Sequence, residues 1–226
     1  QDKQWAEALQ LAESGLKTLS PTARKELQRW RNNVYNRWTI ATIDQKKYAE
    51  VADILERAMK ADPDEIDFKR NIGFAIQEWL SQTESNKGLQ AAEDLLTRLN
   101  RRFPGIRDVQ EVTRNFLGRA AFRLAKDKQF KLAEELLDRH QEQLPERTYQ
   151  DLVGSVFEMQ ATGFREQNKW ELAVDVYQRG LKKIPDDRQL KNNLIFTWNK
   201  WAEKWRAYHL TSGKFSHLGY FACDVE

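Results

Sequence analysis

One pattern of apolar residues recurs about every forty residues along the chain. Each copy has a large apolar anchor, a small or β-branched residue three positions later, a large apolar residue at seven and a proline at fifteen. A further copy begins at Trp5 and has its proline, Pro21, one position late. Such self-similarity is typical of proteins built from stacked structural repeats. The four complete copies have anchors at Tyr48, Leu89, Phe130 and Trp170 and prolines at Pro63, Pro104, Pro145 and Pro185.

The spacing within each copy predicts a helix that ends near the proline. Positions 0, 3, 7 and 10 lie on one side of a helix, and a proline ring does not fit in a helix interior. Between each proline and the next anchor lies a second helical pattern, for example Leu117, Ala120, Ala121 and Leu124. We call the helix before an anchor helix A and the helix that starts at the anchor helix B. With only 10 Gly and 5 Pro in 226 residues, the chain has few residues suited to hairpin turns, so we predict an all-α fold of antiparallel helix pairs.

Charge and apolar content exclude some classes of partner. The 37 Lys and Arg nearly balance the 34 Asp and Glu, so we expect no nucleic-acid partner. No apolar run reaches the roughly 18 residues of a membrane span. The sequence starts at Gln1 without Met, which indicates processing or trimming. We expect a cytoplasmic location, and the missing Met leaves export open.

Motifs for catalysis, cofactors or metals are not found in the sequence. There is no Gly-rich phosphate loop, no His-Glu-x-x-His, no paired Cys motif and no nucleophile elbow, so we expect no enzyme and no cofactor. A metal set of His209, His217, Cys223 and Asp224 matches no familiar spacing, and we expect no metal there. A basic run near Pro104 leaves two interpretations open, an acidic partner or a solvated corner; its members are Arg98, Arg101, Arg102 and Arg107.

The copies resemble tetratricopeptide repeats. The last complete helix B has that family's pattern of an aromatic, an alanine, an aromatic, a small residue and a proline at Trp170, Ala173, Tyr177, Gly180 and Pro185. The family's unit is about 34 residues long, whereas this one is about forty, and the extra residues fall at the start of helix A. Leu99 and His140 stand where the family prefers alanine.

The resemblance implies a single domain over residues 1–226, folded as a right-handed superhelix, or α-solenoid, of about five repeats. Trp198, Trp201, Ala202 and Trp205 match the first-helix signature, so we interpret this aromatic face as repeat core. A sixth, truncated repeat is predicted over 188–226, which leaves part of that face uncovered. Its helix B would have Phe215 as anchor and an apolar side of Leu218, Phe221, Ala222 and Val225.

The function implied by the resemblance is that of a scaffold or adaptor, which binds a peptide or helix of another protein in a concave groove. The alternative is a regulatory or sensor region of a larger multidomain protein, and oligomeric state is left open. In the family the groove is lined mainly by helix A, beside the core positions. Plain solvent exposure is the other interpretation of each groove candidate; these are Gln77, Asn115, Phe122, Glu158, Arg165, Asn199 and Arg206.

Overall fold

The computed structural model describes residues 2–211 and, within them, the side chains of residues 4–208. Over this range the predicted all-α fold is confirmed, because the residues form α-helices and one short 3₁₀ helix, with no β-strand. No helix within 2–211 has the length and apolar content needed to cross a membrane. The chain divides into two compact units, residues 1–117 and 118–226, whose boundary falls inside the helix Arg107–Lys126.

Unit 1 consists of five helices and the first half of a sixth, and each of α1 to α4 packs on the helix that follows it. Helices α2 and α4, which are both A helices, also pack on each other. The bounds are α1 Asp2–Thr18, α2 Pro21–Asp44, α3 Tyr48–Ala61, α4 Ile66–Lys87, α5 Leu89–Arg102 and α6 Arg107–Lys126.

Unit 2 begins within α6, and α7 to α10 pack in sequence order. The A helices α8 and α10 also contact each other, as α2 and α4 do in unit 1. The bounds are α7 Phe130–Arg139, a 3₁₀ helix Gln141–Gln143, α8 Glu146–Glu166, α9 Trp170–Lys183 and α10 Arg188–Thr211.

Three of the turns from helix A to helix B have the same backbone conformation. Lys46, Lys128 and Asn168 each lie two positions before an anchor and have φ of 57°, 63° and 60°. The next residue donates its N–H to the carbonyl five positions earlier, for example Gln129 to Leu124 at 2.8 Å. This left-handed residue and backward bond close the end of helix A and turn the chain into helix B. The α4–α5 turn uses Gly88 instead, with φ of 83°.

The predicted core positions of helix B are buried. The residue three positions after the anchor is fully buried in the four complete copies, and so is the residue at seven, which includes Leu55 and Tyr177. The predicted lengthening of helix A is also confirmed, because α2, α4, α6, α8 and α10 have 20 to 24 residues. In contrast, α3, α5, α7 and α9 have at most 14.

Two helix ends differ from the prediction that proline ends helix B. Helix α7 stops at Arg139, six positions before Pro145, and the chain continues as a 3₁₀ turn after the buried His140. Helix α1 stops at Thr18, and Pro21 instead begins α2, where a missing N–H has no helical partner to lose.

The aromatic face of the predicted sixth repeat lies on α10. The rings of Trp198 and Trp201 stack with their centroids 5.0 Å apart, and Trp201 is half-buried. Trp198 and Trp205 remain nearly half exposed, so the face is core on one edge only. The predicted helix B with Phe215 as its anchor lies outside the described residues, as do the side chains of His209, His217, Cys223 and Asp224.

Candidate functional site

The groove candidates occupy one register of helix A. We number each helix A from the first residue of its signature, which is Tyr35 in α2, Ile76 in α4, Leu117 in α6, Phe157 in α8 and Trp198 in α10. Gln77, Glu158 and Asn199 are then at +1, Asn115 at −2, Phe122 at +5, and Arg165 and Arg206 at +8. With about 100° of rotation per residue, these positions lie on one side of the helix next to the core. We call the side formed by −2, +1, +5 and +8 the A-face.

The structure places most of the predicted site residues at the surface. Gln77 and Asn115 in unit 1, and Phe122, Asn199 and Arg206 in unit 2, are exposed. Glu158 and Arg165 are instead only partly exposed, with 22% and 20% of their side-chain surface open to solvent.

Three apolar A-face residues were missed by sequence reasoning. In unit 1, Ile40 at +5 is 55% exposed and Phe74 at −2 is 51% exposed. In unit 2, Phe196 at −2 is 50% exposed, and the predicted Phe122 at +5 is 58% exposed. Positions −2 and +5 are seven residues apart, so they lie almost directly above one another on a helix. The sequence signal that could have identified these residues is an apolar residue at −2 or +5, in addition to the apolar residues at 0, 3, 4 and 7.

Glu158 and Arg165 meet in unit 2. An Arg165 Nη donates to the Glu158 carboxylate at 3.2 Å and to the Thr162 hydroxyl at 2.9 Å. The Thr162 hydroxyl in turn donates to Glu158 at 3.0 Å. All three side chains lie on the A-face of α8. They are spaced four and three residues apart, so each is within reach of the next along the helix.

Two aromatic rings flank the Arg165 guanidinium. Its central carbon lies 5.8 Å from the ring centroids of Tyr177 on α9 and of Phe196 on α10, within cation–π range. The Tyr177 side chain is fully buried, and its hydroxyl lies near the Glu158 carboxylate. Burial raises the pKa of Tyr177 well above its ordinary value, and the nearby Glu158 carboxylate raises it further, so the phenol stays protonated.

Glu158 also ties α8 to α10. The Asn193 side-chain amide, at −5 on α10, donates to the Glu158 carboxylate at +1 on α8 over 2.6 Å. The same register recurs in unit 1, where Asn71 at −5 donates to Asn36 at +1 over 3.1 Å. In unit 2, Gly118 at +1 lies against the side chain of Leu152 at −5. The +1 position of one helix A therefore meets the −5 position of the next.

The side chains of the A-face differ in the contacts that they can make. Arg165 supplies charge and a planar stacking surface, Phe122 and Phe196 supply exposed apolar area, and Asn199 and Arg206 supply hydrogen-bond donors. Among the described residues no group of three or more His, Cys, Asp or Glu side chains is placed to hold a metal ion. No protein-family model matches the sequence, and a search of curated proteins finds no similar sequence.

Proposed function

We propose that this protein is an interaction scaffold, which binds a peptide or helix of another protein on the A-face of a tetratricopeptide-like stack of helix pairs. The observation that carries the proposal is the set of half-exposed apolar side chains at −2 or +5 of four of the five A helices, which are α2, α4, α6 and α10. Exposed apolar area that recurs at one register of a helical repeat is typical of a binding surface.

Repeated contacts between equivalent positions support the stack. Contacts of the +1/−5 kind join α2 to α4, α6 to α8 and α8 to α10. Successive B helices are joined in an equivalent way within each unit. Arg102, thirteen positions after its anchor in α5, donates to Glu56 in α3 at 2.8 Å, and the matching Lys183 in α9 donates to Asp138 in α7 at 2.7 Å. A solenoid of stacked helix pairs is expected to repeat its contacts from one pair to the next in this way.

The make-up of the A-face supports a peptide or helix as the bound partner. Its apolar residues are spaced along and between helices, with polar and charged side chains such as Asn199 and Arg206 among them. An amphipathic helix or an extended segment matches this mixture, because its apolar side chains recur at intervals and its other face stays in water. The two half-exposed rings Phe122 and Phe196 are the anchors on which we expect most of the binding free energy to depend.

The test compares two half-exposed apolar residues of unit 2. Phe122 lies on the A-face, whereas Leu132, which is 49% exposed, lies on helix B. The tagged chain, Phe122→Glu and Leu132→Glu are used to capture proteins from a lysate of the native cell. We expect Phe122→Glu to lose a partner that the unchanged chain and Leu132→Glu both retain, with equal helicity by circular dichroism. Identical partner sets for all three chains would overturn the assignment of the A-face.

A further inference from the structure

Two asparagine side chains meet where α2 and α4 pack together in unit 1. The amide of Asn71, at −5 of α4, donates to the side-chain oxygen of Asn36, at +1 of α2, over 3.1 Å, and both side chains are partly exposed. A side-chain amide has two N–H donors and an oxygen that accepts up to two hydrogen bonds. The bond between them uses one donor of Asn71 and the oxygen of Asn36. The N–H donors of Asn36 and the oxygen of Asn71 therefore remain for a bound molecule.

Two half-exposed apolar residues lie one helical turn beyond this amide pair. Ile40 follows Asn36 by four residues on α2, and Phe74 follows Asn71 by three residues on α4. Residues three or four apart share one side of a helix, and α2 and α4 run in the same direction because α3 reverses the chain between them. Ile40 and Phe74 therefore continue the surface that begins at the amide pair. We call Asn36, Ile40, Asn71 and Phe74 together the α2–α4 junction.

The exposure of the junction is a property of complete helix pairs. Helices α3 and α5, the B helices that follow α2 and α4, are both in place and pack on them. They bury the core positions of the two A helices, which include Tyr35 and Ile76, and still leave Ile40 and Phe74 half exposed.

The side chains of the junction are uncharged. At −5, −2, +1 and +5 of α2 and α4 every side chain is aromatic, aliphatic, an amide or a hydroxyl. Arg70, one turn before Phe74 on α4, is paired with Asp67 at 3.4 Å. In unit 2, by contrast, the +1 residue of α8 is the charged Glu158. A charged group of a partner would lose water at the α2–α4 junction without gaining an opposite charge there. The junction therefore matches an uncharged stretch of a partner.

We propose, as an inference that rests on the proposed function, that the α2–α4 junction binds an extended, uncharged segment of the partner. The backbone of the segment bonds to Asn36 and Asn71, and one of its apolar side chains packs on Ile40 and Phe74. In an α-helix the backbone N–H and C=O groups are bonded to each other, so a helical partner offers the two amides nothing to bind. Each residue of an extended chain offers one N–H and one C=O. These groups are the complement of the oxygen on Asn71 and the donors on Asn36.

The spacing of the helices indicates what the segment should contain. Packed helices lie about 10 Å apart, and an extended chain advances about 3.3 Å per residue, so about three residues cross from α2 to α4. Successive side chains of an extended chain point to opposite sides, so only one of these three faces the junction fully. We therefore expect one apolar residue with uncharged neighbours as the part of the partner that the junction recognises.

A phage-displayed library of random peptides, each of about twelve residues, supplies the probe and is selected on the full chain. We expect some recovered peptides to lose binding to Phe74→Glu and to share the apolar residue with uncharged neighbours. In one such peptide each residue in turn is replaced by its N-methyl form, which removes the N–H and keeps the side chain. Fluorescence anisotropy of the labelled peptide measures its affinity. We expect about a fivefold loss at one position, where the N–H bonds to Asn71, and little change elsewhere.

Asn71→Leu separates the backbone bond from the apolar contact, because leucine is close to asparagine in size and has no hydrogen-bonding group. We expect this variant to bind the unmodified peptide about fivefold more weakly and to show no further loss at the sensitive position. Asn86→Leu is the matched control, an exposed amide of the same helix that lies off the A-face, and should bind like the unchanged chain. Circular dichroism checks the helicity of each variant, and Asn71→Ala replaces Asn71→Leu if that variant unfolds.

The possible outcomes separate backbone recognition from A-face binding itself. If Phe74→Glu leaves the binding of every recovered peptide unchanged, the A-face of unit 1 is not the site, and the proposed function fails there as well. If Phe74→Glu abolishes binding but N-methylation weakens every central position, the bound peptide is a helix, because N-methylation breaks a helix as proline does. That result, or an Asn71→Leu chain that binds like the unchanged one, would overturn only the extended segment. A selection that yields no binding peptide would overturn it too.

Discussion

The packing around a single residue depends on its place in the repeat, and two helical glycines illustrate this. Gly73 in α4 lies where a Cβ would come 2.7 Å from the Cβ of Asp108, so the close approach of two helices requires glycine. Gly163 in α8 has nothing within 4 Å of the same point. Glycine has a low intrinsic helix propensity at both positions, so only the packing around each glycine distinguishes them.

Alanine substitutions at these two positions should have opposite effects. Gly163→Ala should raise the free energy of unfolding by about 1 kcal/mol, because alanine is the better helix former and meets no neighbour. Gly73→Ala should lower it by up to about 2 kcal/mol, because the added methyl group forces α4 away from Asp108. Urea denaturation followed by circular dichroism measures both. A gain in stability at Gly73 would show that α4 and α6 do not approach as closely as described.

Pairs of helices are joined by ion pairs between equivalent positions of helix B, and one of these gives a pH dependence. Hydrogen bonds from Lys60 and Arg102 lower the pKa of Glu56 below its ordinary value. A carboxyl group whose pKa is lower in the folded chain stabilises the fold above its unfolded pKa, and this contribution is lost as the pH falls through the folded value. The bond between α3 and α5 should therefore weaken in acid.

Glu56→Gln should make the chain less stable at pH 7 and less sensitive to acid. Because a third of the Glu56 side chain is exposed, we expect a loss below about 1 kcal/mol at pH 7. Between about pH 5 and pH 3 the difference from the unchanged chain should shrink, since the unchanged carboxylate is then protonated. Urea midpoints across this range measure the effect, with the more exposed Glu50→Gln in the same helix as control. A difference that stays constant over the whole range would rule out the carboxylate charge as its source.

The sequence predicts the positions of the helices along the chain better than it predicts how the helices pack on one another. Apolar spacing and the prolines predict both helices of each pair, because those signals are local. The early end of α7 was not predicted, and neither was the burial of His140 directly after it, which only tertiary packing determines. Register likewise placed Glu158 and Arg165 on one face, but their enclosure by Tyr177 and Phe196 depends on how α9 and α10 pack on α8.

At the scale of the whole molecule, each unit repeats one arrangement, with long A helices that carry exposed apolar residues and shorter B helices linked by ion pairs. Because neighbouring repeats bury the core positions of helix A, the A-face is not needed for packing within the repeat. Its side chains are therefore available to bind a partner. Phe74 and Ile40 in unit 1, like Phe122 and Phe196 in unit 2, are therefore the residues on which our account of function depends.

Site-specific photo-crosslinking in the native cell tests this account most directly. A photoreactive amino acid is placed at one position at a time, on the A-face at Phe122 or Phe196, and on helix B at Leu132 or Leu172. All four side chains are between 46% and 58% exposed, so access to solvent is matched. We expect the two A-face positions to crosslink to the same partner protein and the two helix B positions to give no adduct with it. Crosslinks to a partner from Leu132 and Leu172, with none from Phe122 and Phe196, would contradict the account.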